Sequence, residues 1–171
     1  YLESVERLVT RLLGPRPDVA DVSQDVMVAA LQSVSSYTGD EAGLWGWLTG
    51  VTTNVVRGYL RKLKVRRVVR FWEGDEDPST PAVASSAGPE ACAAVLEAWR
   101  VVERFPVDER LAFTLRLFAG HRMPEVAQAL GVSLATANRL VRRARQRFEE
   151  SRRGSLALAA VETGGLDDET E

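Results

Sequence analysis

The stretch VAQALGVSLATANRLVRRARQR, residues 126–147, contains two runs of helical periodicity separated by a glycine. Apolar residues give the first run, residues 126–130, one hydrophobic side. Gly131 can adopt the left-handed backbone conformation that ends a helix. Ser133 is of the residue type that caps the start of a following helix. This order of short helix, glycine turn and second helix predicts a helix-turn-helix.

The second predicted helix has an apolar side and a polar, basic side. The apolar side carries Ala137, Val141, Ala144 and Phe148 at helical spacing. The opposite side would face solvent or DNA, and it carries Thr136, Asn138, Arg139, Arg142 and Arg145. A basic outer face is also common on ordinary helical bundles. Both interpretations, a DNA-binding motif and a solvated bundle surface, stay open on this stretch alone.

Length and composition limit the class of protein. With 171 residues, of which 45% are hydrophobic, the chain can form one ordinary domain or two small ones. No apolar run approaches the roughly 20 residues that cross a membrane, so we expect no membrane insertion. One cysteine, Cys92, and one histidine, His121, allow neither an internal disulfide nor a Cys/His zinc site. We therefore expect a cytoplasmic protein that has no metal or other cofactor and is not an enzyme.

Charge is distributed in blocks that the net charge of −2 conceals. Residues 54–72 carry seven basic and no acidic side chains, and residues 120–153 carry eight basic and three acidic ones. Between them, residues 73–90 carry five acids and no base. Two separate basic blocks indicate two places of contact with phosphates.

Residues 73–90, EGDEDPSTPAVASSAGPE, have the composition of a linker, because acids, prolines, serines and glycines leave nothing periodic to bury. Helical periodicity occurs on both sides of it. The sequence therefore predicts an all-α fold of two small helical bundles joined by a flexible linker. The expected parts are a first domain over 1–72, the linker, a helix-turn-helix domain over 91–153 and a disordered acidic tail over 154–171. A tail that folds back on the arginine-rich helix is the alternative.

The second predicted helix of the first domain gathers carboxylates on one face. Asp18, Asp21 and Asp25 lie at positions i, i+3 and i+7, with Gln24 beside them. Like charges at this spacing oppose helix formation, which points to a basic partner surface outside the chain. Asp18 and Asp21 also suit the positive N-terminal end of a helix, so a purely structural role stays open.

The third predicted helix changes character at Asn54. Before it lie Trp45 and Trp47, and after it lies a basic run that includes Arg57, Arg61, Lys62 and Lys64. Aromatic rings next to a cationic track suit single-stranded nucleic acid, because bases stack on rings while the backbone follows the charges. Trp47 is expected in the core, whereas the position of Trp45 stays open.

The order of these parts resembles the extracytoplasmic-function (ECF) sigma factors. In the first domain the resemblance lies in DVSQD at residues 21–25 and in LWGWLTGVTTNVVRGYLRK at 44–62. In the second it lies in Phe105-Pro106, Arg110, Ala119-Gly120 and VAQALG at 126–131, followed by a recognition helix. It covers about residues 1–70 and 91–150, and it rests on the collinear order of these strings.

The resemblance implies a promoter-specificity subunit that binds bacterial core RNA polymerase and promoter DNA, with an anti-sigma factor as a further candidate partner. Polymerase binding would fall to Asp21, Gln24 and Asp25. One strand of the minus-ten element would be held by Trp45, Asn54, Arg57, Arg61, Lys62 and Lys64. The upstream element would be read by Ser133, Thr136, Asn138, Arg139, Arg142, Arg143 and Arg145.

The recognition helix departs from the family pattern. Family members commonly read T-V-K-S-R-L where this chain reads TANRLV at residues 136–141, so Asn138 and Leu140 replace a usual lysine and arginine. Upstream recognition is thus the part of the expected function that the resemblance supports least. Two alternative functions stay open. One is a sigma-like protein that binds polymerase or another factor without promoter recognition, and the other is a plain helix-turn-helix transcription regulator.

Overall fold

A computed structural model describes the backbone of residues 1–14, 16–73 and 89–164 and the side chains of residues 1–14, 16–66 and 95–153. This part of the chain is helical and has no strand, as the sequence predicts. The α-helices are Leu2–Leu13 (α1), Val19–Ser33 (α2), Leu44–Glu73 (α3), Pro89–Val102 (α4), Val107–Leu117 (α5), Met123–Leu130 (α6) and Leu134–Gly164 (α7). A 3₁₀ turn, Val34–Ser36, follows α2. Within the described ranges, no helix has both the length and the apolar character of a membrane span.

Helices α1, α2 and α3, here called the first bundle, pack around an apolar core. Its buried side chains are Val5, Leu8, Val9, Leu12 and Leu13 from α1, Val22, Val26 and Ala30 from α2, and Leu48, Val56 and Leu60 from α3. Three buried threonines of α3, Thr49, Thr52 and Thr53, donate their hydroxyls to carbonyls one turn earlier at 2.7–2.8 Å. These hydrogen bonds let polar side chains lie in the core without an unsatisfied group.

Helices α4 to α7, here called the second bundle, contain the predicted helix-turn-helix as α6 and α7. Gly131 ends α6 with a φ of 67°, in the left-handed region that the sequence predicts for it. At the start of α7, Ser133 Oγ accepts the backbone N–H of Thr136 at 3.2 Å. A buried cluster of Trp99, Phe105 and Phe113 joins α4 to the rest of the bundle. The local signals of the sequence therefore place this motif correctly.

The two bundles pack against each other through α1, α3, α5 and α6, which the sequence does not predict. Leu111 and Leu115 of α5 and Val126 and Leu130 of α6 are buried in one continuous core with residues of the first bundle. Arg16, before α2, pairs with Glu103 across this boundary at 2.7 Å. Apolar burial and ion pairing together hold the bundles side by side.

Arg110 makes a deeply buried polar contact between the bundles. Only 5% of this residue is exposed. Its Nη2 donates to the carbonyl oxygen of Leu13 at 2.8 Å, at the C-terminal end of α1. Its guanidinium also lies over the ring of Trp99, 5.5 Å from the centroid. One side chain of the second bundle thus caps a helix of the first.

Two helix boundaries differ from the domain limits drawn from the sequence. α3 ends at Glu73 and α4 begins at Pro89, and the expected linker residues between them, 74–88, lie outside the described residues. α7 continues to Gly164, so the expectation of a disordered tail from residue 154 is wrong as far as Gly164. The stretch SLALAAVE is rich in good helix formers and extends the helix. Residues 165–171 lie outside the described residues.

Gly14 ends α1 with a φ of 80°, and a Cβ on it would lie 2.7 Å from Cδ2 of Trp99. We expect Gly14→Ala to lower the free energy of unfolding by about 2 kcal/mol or more, because a positive-φ backbone that is essentially restricted to glycine is combined with a clash against a buried ring. Urea denaturation followed by circular dichroism measures this loss.

Gly120→Ala is the matched control. Gly120 has a similar φ of 78°, but a Cβ on it would meet nothing within 4 Å. This variant should therefore lose only the conformational part, about 1 kcal/mol. Equal losses in the two variants would contradict the clash with Trp99.

Candidate nucleic-acid interface

The outward face of α2 begins acidic and ends apolar. Asp21, Gln24 and Asp25, which the sequence predicts as a partner-binding set, are all exposed and share this face. One turn further along, the face continues with Val28 and Leu31, whose exposed fractions are 52% and 71%. An exposed face of this kind fits a partner that offers positive charge beside apolar surface.

Asp18 belongs to a different group of side chains. It lies at the start of α2 and accepts a hydrogen bond from the hydroxyl of Tyr59 on α3. Burial and this hydrogen bond raise the pKa of Tyr59 to about 12. Asp18 therefore links α2 to α3, and the acidic face proper consists of the residues from Asp21 onward.

The loop before α3 is supported by aromatic rings. The ring of Tyr37 lies 5.3 Å from that of Trp47, and its hydroxyl donates to the carbonyl oxygen of Asp40 at 2.6 Å. Trp47 packs against the core, in agreement with the sequence analysis. Trp45, whose position the sequence left open, is half-buried and stacks on Tyr1 with centroids 6.4 Å apart. Both tryptophans therefore give part of their surface to the fold.

The polar surface of α3 combines freely accessible charges with one that is already paired. Asn54 and the basic residues Arg61, Lys62 and Lys64 are exposed. Arg57 lies among them in sequence but is only partly exposed. All six predicted minus-ten residues therefore lie on α3, four of them exposed, whereas Trp45 and Arg57 are partly buried.

Arg57 is held by the second bundle. Its Nε pairs with Oδ1 of Asp108 at 2.9 Å, and its Nη2 donates to the carbonyl oxygen of Leu130 at 3.0 Å. Its Nη1 donates to Oδ1 of Asn54 at 2.9 Å on its own helix. The sequence gives no sign of the first two contacts, because Asp108 there has the ordinary position of an acid in the first turn of a helix.

The second basic surface is the outer side of α7. Five of the predicted DNA-contact residues are exposed on this helix, namely Asn138, Arg139, Arg142, Arg143 and Arg145. The predicted inward residues Ala137, Val141 and Ala144 are buried. Arg147 pairs at 2.9 Å with the buried Glu109 of α5 and so helps to fix the helix on the bundle.

The polar side chains at the start of α7 have partners within the helix. The hydroxyls of Ser133 and Thr136, both predicted DNA contacts, lie 3.0 Å apart and are hydrogen-bonded to each other. Nδ2 of Asn138 donates to the carbonyl oxygen of Leu134 at 3.0 Å. The arginines are therefore the long polar side chains that extend from this surface.

Comparisons with known proteins agree with this arrangement of two helical units. Residues 1–66 match the family description Sigma-70 region 2, and residues 96–148 match Sigma-70, region 4. The chain is 29% identical to the ECF RNA polymerase sigma-E factor of Escherichia coli K12 over 156 residues. This alignment covers 87% of this chain and 81% of that protein. It is 30% identical over 139 residues to RNA polymerase sigma factor NccH of Alcaligenes xylosoxydans xylosoxydans, covering 78% and 73%.

Solved structures show the same fold. The Bartonella quintana sigma factor RpoE, bound to the anti-sigma factor NepR, aligns with a TM-score of 0.65 at 22% identity, covering 87% of this chain and 89% of that one. CnrH in complex with the cytosolic domain of CnrY aligns with a TM-score of 0.58 at 21% identity, covering 89% and 82%. Two matched sigma regions in order, together with the curated relatives, show that the chain belongs to the ECF family of sigma factors, which bind core RNA polymerase and direct it to promoters.

Proposed function

We propose that this sigma factor binds core polymerase, the minus-ten element and the upstream element through three separate surfaces. The polymerase surface is the face of α2 with Asp21, Gln24 and Asp25. The minus-ten surface is formed by Trp45, Asn54, Arg57, Arg61, Lys62 and Lys64. The upstream surface is formed at the start of α7 and along it by Ser133, Thr136, Asn138, Arg139, Arg142, Arg143 and Arg145. The observation that carries this division is the separation of charge, since the first surface is acidic and the other two are basic.

The proposed activity is binding, because the chemistry of RNA synthesis belongs to the core polymerase. It requires the cytoplasm, where the bacterial chromosome and its polymerase lie. The direct test mixes the chain with purified bacterial core polymerase and looks for open complexes on a genomic promoter library. Failure to bind polymerase would contradict the function, and binding without promoter opening would favour a sigma-like protein without promoter recognition.

An anti-sigma factor is a further proposed partner. Two sigma factors with this fold are bound to partners of that kind or to a cytosolic domain in their solved structures. In this chain Arg57 is bonded to Asp108 and Leu130 of the second bundle, so a protein that binds both bundles at once would keep this residue of the minus-ten surface paired. The support for this partner is the bundle interface together with the shared fold.

The polymerase surface is tested by charge reversal. We expect the double variant Asp21→Lys, Asp25→Lys to bind core polymerase at least about tenfold more weakly, because both carboxylates would face a basic partner surface. Fluorescence titration of labelled chain with core polymerase measures the affinity. The control reverses Glu3 and Glu6, two exposed acids of α1. Similar losses in both double variants would point to net charge and away from this face.

The minus-ten surface contains an internal competitor for DNA. The carboxylate of Asp108 pairs with the Arg57 guanidinium. A backbone phosphate of the DNA strand would have to compete with this carboxylate to bind the same guanidinium. We expect Asp108→Asn to bind a mixed-sequence single-stranded oligonucleotide about two- to fivefold more tightly, the range that a partly exposed ion pair is worth. Fluorescence anisotropy at low salt measures this gain.

Two further variants make this prediction specific. Glu6→Gln removes one exposed negative charge from α1 and should leave the affinity for the oligonucleotide unchanged. Adding Arg57→Ala to the Asp108→Asn variant should abolish the gain, because the released guanidinium is then missing. A gain that survives the loss of Arg57 would show that Asp108 repels DNA without acting through it.

The upstream surface is tested through its salt dependence. We expect Arg142→Glu together with Arg145→Glu to weaken duplex promoter binding about tenfold or more and to reduce the slope of log affinity against log salt by about two. Polymerase binding should stay unchanged. The control is the pair Arg7→Glu and Arg11→Glu on α1. An unchanged footprint on the upstream element would refute the placement of α7 in the groove.

A further inference from the structure

The first turn of α7 presents an apolar side chain where polar ones are expected. Leu134 is the first residue of the helix and 48% of it is exposed. By helical geometry it shares one side of α7 with Asn138, Arg142 and Arg145, at i+4, i+8 and i+11. Leu134 therefore lies at the leading end of the proposed upstream surface.

The hydrogen-bonding groups around Leu134 already have partners. Ser133 and Thr136 bond to each other at 3.0 Å, and Ser133 also accepts the backbone N–H of Thr136. Nδ2 of Asn138 donates to the backbone of Leu134 itself at 3.0 Å. The isobutyl group is thus a prominent chemical feature that this turn offers to a partner.

The charge of the surrounding helix indicates what kind of partner meets this leucine. No acid occurs from residue 126 to residue 148, whereas five arginines occur from 139 to 147. Four of these arginines, Arg139, Arg142, Arg143 and Arg145, are exposed on the proposed upstream surface. An anionic partner fits such a surface, and in duplex DNA the major groove offers one apolar group, the C5 methyl of thymine.

We infer that Leu134 contacts a thymine methyl in the upstream element and that this contact makes Leu134 a determinant of promoter specificity. This role rests on the proposed placement of α7 in the major groove. The arginines supply affinity through phosphates and hydrogen-bonding base edges, whereas Leu134 discriminates thymine from cytosine, which lacks the methyl group.

The test removes the methyl group from DNA and the leucine from the protein separately. An upstream element is first selected from a randomised duplex library with the full chain and bacterial core polymerase. Each thymine of the selected element is then replaced by deoxyuridine, which keeps base pairing and loses only the methyl. We expect one position, or two adjacent ones, where the wild-type holoenzyme binds about fourfold more weakly, the factor that burial of one methyl-sized group is worth.

Leu134→Ala should bind the thymine and deoxyuridine forms equally at that position. Leu117→Ala is the matched control, since Leu117 is a leucine of α5 with 40% exposure, and it should keep the fourfold difference. Retained discrimination in Leu134→Ala would overturn the inference, as would a loss of polymerase affinity with no effect on methyl dependence. A library that yields no enriched element would overturn the proposed upstream role as well, whereas an enriched element without a methyl-dependent position overturns only the role of Leu134.

Discussion

The hydrogen bond from Arg110 to the carbonyl end of α1 is the interaction on which the relative placement of the two bundles depends. The last carbonyls of a helix have no partner within the helix and carry partial negative charge. Arg110 brings a permanent positive charge to this end from the other bundle, and Trp99 covers its guanidinium. Gly14 turns the chain away at this point, where a side chain would strike the same ring. The Arg110 cap, the Trp99 ring and the turn at Gly14 therefore meet at one place in the bundle interface, here called the joint.

This joint makes the three proposed surfaces unequal in accessibility. The acidic face of α2 and the arginines of α7 point away from the bundle interface and are exposed while the bundles are packed. Arg57, by contrast, meets α5 through Asp108 and α6 through Leu130. The packed arrangement therefore leaves two surfaces open and shields a central charge of the third.

The sequence could predict what depends on neighbouring residues. Helical spacing, Gly131 and Ser133 define the helix-turn-helix, and the spacing of Asp21 and Asp25 puts both on one exposed face. The contacts between the bundles join residues far apart in the chain, so no local pattern reveals them. Arg110 has the sequence surroundings of an ordinary helix arginine, yet it is buried. Trp45 shows the same limit, because its partner Tyr1 lies just before α1, far from it in the chain.

The length of α7 limits how far the charge of Glu162, near the end of this helix, can act. With a rise of about 1.5 Å per residue, the backbone of residue 162 lies about 42 Å along the axis from Leu134. Ionic screening acts over about 8 Å at physiological salt. An acid in the helical part of the tail therefore contributes almost nothing to the electrostatic potential at the leading end of α7. The length of α7 therefore separates residue 162 electrostatically from the residues proposed to read DNA.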